Sequence, residues 1–292
     1  MRKTIILSVF LFALVSLQAQ EDTTKHWKKG TTGDITFSQV SLTNWAPGGE
    51  DSYSANAQFT FFANYKKDKS SWENNLNLGY GFVKIIGDKF KKSTDQIDFQ
   101  TKYGRDIGKH WNYSALFNFK SQFTKGYRYP DNSPREAISD FMAPGHFIFS
   151  LGMDYKPIEN LSIFLSPVTG KSTTVFNDSL SNAGAFGVEP GDKFLNEYGG
   201  FVKMEYSTEL MKNVHIQTKL DLFSAYNNRP ENVDVDWDVL INMKVNQYFS
   251  ANLHTRMVYD HDTKIEQEDG TMAPKLQFKE VFGFGISYSF PE

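Results

Sequence analysis

The chain has no cysteine among its 292 residues. That absence excludes a disulfide framework and a lipid-modified amino terminus. Proline is scarce, ten in all, and no Pro/Ser-rich linker or low-complexity tract divides the sequence, so we read one domain, a length that all-β folds routinely reach as one unit. Basic runs and nucleic-acid motifs are missing as well. The formal charge is −3, and losing Arg2 and Lys3 with a leader takes it to about −5, which argues against nucleic acid as a partner. The apolar run Ile5 to Val15 is too short and wrongly flanked for a spanning helix. With Arg2 and Lys3 before it and Ala19 after it, residues 1–19 read as a secretory signal peptide cleaved near Ala19.

What the chain does have is alternation. Tyr53, Ala55, Ala57, Phe59, Phe61, Ala63 and Tyr65 are apolar, and Ser54, Asn56, Gln58, Thr60 and Asn64 between them are polar. A two-residue beat of this kind marks a strand with one oily and one wet face. It recurs from Trp72 to Phe82 through to Phe278 to Phe290, and with a less regular first strand near Ile35 to Leu42 it predicts about twelve strands. Every second connection is short: Lys66 to Ser70, Asp106 to His110, Lys156 to Asn160, Glu209 to Asn213, Val245 to Tyr248. Those between them are longer, above all Thr124 to Pro144 and Gly170 to Phe194. Short periplasmic turns and long outer loops are the pattern of an antiparallel, up-and-down transmembrane β-barrel. The expected layout is a periplasmic segment at 20–30 and one outer-membrane barrel at 31–292.

Aromatic residues flank the short turns, among them Tyr65, Trp72, Tyr103, Trp111 and Tyr155, as in a headgroup-level girdle. Alternation alone also fits a soluble periplasmic barrel that binds a ligand, with the oily face inward. The wet face decides between them. It carries small or uncharged residues such as Asn75, Asn77, Gly79, Gly81, Gly283 and Gly285, where a water-facing surface is rich in Lys and Glu. The terminal Phe290 is similar to the carboxy-terminal aromatic through which outer-membrane strands meet their insertion machinery. Membrane lipid is therefore an expected partner, and that machinery a transient one.

Phe37-Ser38-Gln39, then Asn44-Trp45-Ala46-Pro47-Gly48-Gly49 and the Tyr53 strand, resemble the start of a Bacteroidota outer-membrane protein family catalogued only as a domain of unknown function. The resemblance implies location and supplies no activity. The loop residues Asn44, Trp45, Gly48 and Gly49 suit either a tight turn anchored at the interface by its indole or a docking loop for an envelope partner.

One polar cluster stands out. Asp234, Asp236 and Asp238 share a face of one strand, beside the strand bearing His215, Lys219 and Asp221 and the strand bearing His254 and Arg256. Facing a lumen, these groups either shape a pore field or fill a narrow barrel with ion pairs. The acids Asp98, Asp106, Asp154 and Glu205 are balanced by Lys102, Lys120, Lys203, Lys244 and Lys279, which argues against strong ion selectivity. The alternating acids are no calcium loop, because Val239 stands where the glycine belongs and Val245 where the glutamate belongs. Acids at Glu266, Glu268 and Asp269 read as a solvated loop. A hydrolase needs a serine beside a histidine; His146 with Ser150 and His215 with Ser224 are the pairs to check, on the polar face rather than where a lipid ester arrives. The expectation is a protein without enzymatic activity, metal or cofactor: a narrow channel for small polar solutes, or a scaffold subunit joined to envelope partners through its outer loops. An outer-membrane hydrolase of lipid or peptide is the alternative.

Overall fold

The computed structural model describes residues 26–41, 51–129, 134–246, 249–267 and 271–290, with the backbone alone at 40, 266 and 287–290. The expected leader and the Asn44–Gly49 loop lie outside the described residues, as do Glu268 and Asp269.

The strands are β1 (Trp27–Val40), β2 (Ser52–Lys67), β3 (Ser70–Ile85), β4 (Lys91–Gly108), β5 (Trp111–Ser121), β6 (Gly126–Arg128), β7 (Glu136–Ser139), β8 (Gly145–Ile158) and β9 (Leu161–Thr174). After a short helix α1 (Asp178–Asn182) come β10 (Phe194–Met211), β11 (Val214–Ala225), β12 (Val233–Lys244), β13 (Phe249–Tyr259), β14 (Lys264–Glu266), β15 (Met272–Pro274) and β16 (Gln277–Phe290). Twelve of them form a closed barrel in the order β1-β16-β13-β12-β11-β10-β9-β8-β5-β4-β3-β2. Apart from the closing pair, each barrel strand is hydrogen-bonded to the barrel strands before and after it in sequence, and all pairings are antiparallel. Closure pairs strand with strand around the ring, the condition for crossing lipid with strands, though the closing pair β1–β16 spans only Thr31↔Phe290 to Thr36↔Gly285. Among the described residues no helix is long and apolar enough to cross a membrane.

Connections alternate as the sequence predicts. β2–β3, β4–β5, β8–β9 and β10–β11 are joined by two-residue turns, and the other end carries the hairpins β6/β7 and β14/β15 and helix α1. In three of these turns the positive φ that two-residue hairpins favour is supplied by Asp68 (50°), Lys109 (53°), His110 (67°) and Asn213 (67°).

The molecule is inside out relative to a soluble protein. Ile35, Phe149, Tyr198, Phe282 and Phe284 are exposed on the outer face, whereas Lys102, Asp154, Glu197 and Lys203 are buried at 4% exposure or less. This arrangement overturns the soluble alternative, whose oily face would point inward. An apolar cluster of Leu116, Phe164, Phe201 and Phe223 fills one side of the interior. At the short-turn end Trp27 packs on Tyr65 and Trp72 at 5.2 and 5.9 Å, and Trp111 on Tyr155 at 4.7 Å, forming one aromatic belt.

One strand departs from expectation. β1 begins at Trp27 and ends at Val40, rather than running from Ile35 to Leu42. Its outer row includes Lys29, Thr31 and Gly33, so its extended state comes from pairing with β2 and β16 and leaves no beat in the sequence.

Candidate functional site

The interior is crossed by ion pairs at three levels, each made because inward positions on facing strands carry opposite charge. Near the short turns, Lys102 on β4 lies 3.0 Å from Asp154, 3.3 Å from Glu73 and 3.8 Å from Glu205. Lys156 adds contacts to Glu73 and Asp154, Ser162 donates to Asp154 at 2.6 Å, and Gln100 donates to Glu205 at 3.3 Å.

At the middle level Lys120 on β5 reaches Asp236 on β12 at 2.9 Å and Asp221 on β11 at 3.1 Å. Arg256 grips Asp236 with two hydrogen bonds, Nε to Oδ1 at 2.9 Å and Nη2 to Oδ2 at 2.8 Å. A two-point guanidinium–carboxylate contact of this kind fixes geometry as well as charge. Lys203 donates to Asp221 at 2.8 Å, and His254 Nε2 lies 2.7 Å from Asp238. Nearest the long loops, Lys171 meets Asp234 at 2.6 Å, Glu197 at 3.2 Å and Asp260 at 4.0 Å, with its ammonium 5.1 Å from the Phe223 ring centre.

The expected cluster is thus spread along the barrel axis. Successive inward residues on a strand stand roughly 6–7 Å apart, so Asp234 belongs to a different level from Asp236 and Asp238, and the three hold different partners. Asp221, Arg256 and His254 join the middle group. Lys219 lines the central cavity. His215 is remote from the others and contacts Ser207 at 2.9 Å, not Ser224, whose hydroxyl donates to Pro230 O. Ser150 accepts from Thr169 and His146 contacts Thr173, so the two are not a pair. Among the described residues no group of three His, Asp or Glu is arranged to hold a metal.

Lys171, Glu73, Glu197 and Lys156 escape a reading of the sequence. Their roles depend on which walls face each other across the barrel, and strand order alone supplies only neighbours.

The free space follows the pairs. A chamber of about 560 Å³ lies toward the long loops, lined by His146, Lys171, Phe186, Phe223, Asp234 and Tyr259. Another of about 600 Å³ lies among the short turns, lined by Ser71, Asp106, His110, Asn112 and Lys156. A smaller cavity of about 100 Å³ shares Lys120, Asp221, Asp236 and Arg256 with the upper chamber. Over the upper chamber the 175–193 loop is folded rather than loose. Ala143, Val175, Leu180 and Val188 form a second apolar cluster, Asn177 caps α1 through Ser179 N and Leu180 N, and Asn177 also donates to Asp140 of the preceding loop at 2.9 Å.

Comparison with known proteins adds the following. The model of the family described as "protein of unknown function (DUF3078)" matches residues 37–127, beginning at the Phe37 segment that carries the resemblance above. No curated protein matches the chain. Among solved structures, it is similar to the translocator domain of the autotransporter NalP from Neisseria meningitidis, at 11% identity and a TM-score of 0.38, over 98% of this chain and 96% of that one. It is similar also to an outer-membrane channel from Pseudomonas putida F1, at 11% identity and a TM-score of 0.41, over 93% of this chain and 99% of the other. The NanC porin aligns at 7% identity and a TM-score of 0.38, over 90% of this chain and 99% of the porin.

Proposed function

We propose that the chain is exported, cleaved near Ala19 and set in the outer membrane with its short turns in the periplasm. There it serves, without enzymatic activity, as a narrow passage for small polar solutes that its own ion pairs hold shut. The observation that carries this reading is the Lys120–Asp236 contact at 2.9 Å, a bridge between distant walls that lines both the upper chamber and the small central cavity. Charges of both signs at this level suit small polar or zwitterionic solutes better than ions of one sign. A hydrolase would need more than the Ser207–His215 contact. Among the described residues no carboxylate bonds the histidine's other nitrogen to complete a triad.

Swelling of liposomes in arabinose tests the passage. Slow swelling in the wild type and faster swelling in Asp236→Asn support it, and no swelling in either contradicts it. One observation favours a second reading, a scaffold that engages envelope partners through its loops: the long loops have their own apolar cluster and capped helix. That barrel would be silent to arabinose and would lose co-purifying partners when 176–192 is replaced by a short Gly/Ser turn.

A further inference from the structure

The wall of the upper chamber nearest the long loops is short of positive charge. Among the described residues Asp234, Glu197 and Asp260 share a single ammonium, that of Lys171. Asp262, whose backbone N–H donates to Asp260 Oδ1 at 2.9 Å, adds a fourth carboxylate with the Asn228 amide as its partner at 3.4 Å. Arg229 on the β11–β12 loop is spent elsewhere, its Nη1 donating to His261 Nε2 at 3.2 Å. Asp260 is the loosest of the three that share Lys171. Its Oδ2 stands 4.0 Å from the ammonium, beyond hydrogen-bond reach, on a side chain that is 17% exposed and lines the chamber. A mostly buried carboxylate oxygen without a donor is a group that a ligand can satisfy.

The opposite wall is apolar. Ile148, Phe201 and Phe223 line the same cavity, and the Phe223 ring already lies 5.1 Å from the Lys171 ammonium, within reach of a cation on an aromatic face. From the folded loop above, Phe186 lines the chamber too and packs on the second apolar cluster. Its backbone takes φ 58° and ψ 28°, a left-handed conformation that a bulky residue adopts only where its surroundings impose it, and one that concentrates at ligand sites. The next residue, Gly187, passes so close to the acidic wall that a Cβ there would fall 2.7 Å from Asp262 Cβ. The loop thus sets an aromatic side chain and the carboxylates around one space.

We infer that the upper chamber binds a small organic ammonium with an aromatic or apolar tail, its head on Asp260 beside Lys171 and its tail against Phe186 and Phe223. Both halves of the match belong to one cavity of about 560 Å³, a volume within the range of small-molecule sites. A bare metal ion is a poorer occupant. Among the described residues no three acids are arranged to hold one, and the apolar wall offers it nothing. The inference goes beyond the passage for polar solutes and does not depend on it, because binding here is the same whether or not a solute crosses the Lys120–Asp236 contact.

The test uses the full chain refolded in detergent micelles, with binding read by titration calorimetry and protonated phenethylamine as probe. Three relatives of the probe divide the match: 2-phenylethanol lacks the charge, ethylamine lacks the tail, and phenylalanine adds a carboxylate that meets the same acids. Heat-modifiable gel mobility verifies that each variant has folded. The wild type binds phenethylamine at one saturable site and each of the other three about tenfold or more weakly. Asp260→Asn weakens phenethylamine about tenfold, the effect of losing one charge-assisted contact, and leaves 2-phenylethanol unchanged. Phe186→Ala weakens phenethylamine and 2-phenylethanol alike and leaves ethylamine unchanged. Phenethylamine binding that is absent, or unmoved by Asp260→Asn, overturns the inference. So does ethylamine binding as tightly as phenethylamine, the result expected of acids that collect any cation, or phenylalanine doing so, the result expected of a site for zwitterions. Absence of arabinose swelling, with phenethylamine binding intact, sinks only the passage.

Discussion

Lys120 on β5 and Asp236 on β12 meet at 2.9 Å although 116 positions separate them in the chain. In the barrel order β8, β9, β10 and β11 stand between their strands, so the bridge spans the lumen and not a neighbouring pair of strands. An isolated buried ion pair adds little net stability over an apolar filling, but removing one partner strands the other charge at a cost of roughly 3–5 kcal/mol. Shared partners soften that cost here. Asp236 retains Arg256 and Asp221 retains Lys203 when Lys120 withdraws. The middle level is thus built to part more easily than the level nearest the long loops.

The level near the long loops lacks that redundancy. Glu197 has Lys171 as its cationic partner, and Asp234 has the same one. Lys171→Met should destabilise the folded barrel by about 3–5 kcal/mol, measured by urea unfolding from vesicles. Adding Glu197→Gln and Asp234→Asn to the same chain should recover most of the loss, because no charge is then left unpaired.

A backbone approach sets the second expectation. At the register shift of β8 against β9, a Cβ on Gly152 would fall 2.1 Å from Leu165 O, whereas one on Gly170 meets nothing within 4 Å. Gly152→Val should fail to give the heat-modifiable folded band on refolding. Gly170→Ala should fold as the wild type does.

The folded loop above the upper chamber carries a pH signature. A hydrogen bond from Lys193 holds the Asp178 carboxyl below its ordinary value of 3.8. A carboxyl whose folded pKa is lowered contributes its stability above the unfolded value and loses it as pH falls through the folded one. Protection factors of the α1 amides should therefore be level near neutrality and should fall below about pH 3.8. Asp178→Asn should show the lower protection at neutral pH and no further acid response from this pair.

Much of the fold is legible in the sequence because lipid imposes one rule on every strand. Phe59 and Leu78 must face hydrocarbon, while Gln58 and Asn77 face the interior, and the beat follows. The rule fails for β1, where Lys29, Thr31 and Gly33 occupy outer positions near the barrel's end. It fails also for β6, β7, β14 and β15, which are too short to display a period. The site was legible by composition and not by pairing. Asp236 and Arg256 sit on adjacent strands and were expected together. Lys120 was expected only as part of a balance of charge, and Lys171 not at all, since contact across a lumen depends on the radius and stagger of the whole barrel. His215 was grouped with the acids because its strand adjoins theirs, yet it lies nearer the short turns, bonded to Ser207.

Single-channel recording in planar bilayers speaks most directly to the ion-paired closure. The wild type should be shut for most of the record, with brief discrete openings, and Asp236→Asn should lengthen those openings and raise the mean current severalfold. Steady open conductance of equal size in both proteins, or silence in both, would contradict a lumen held shut by Lys120 and Asp236.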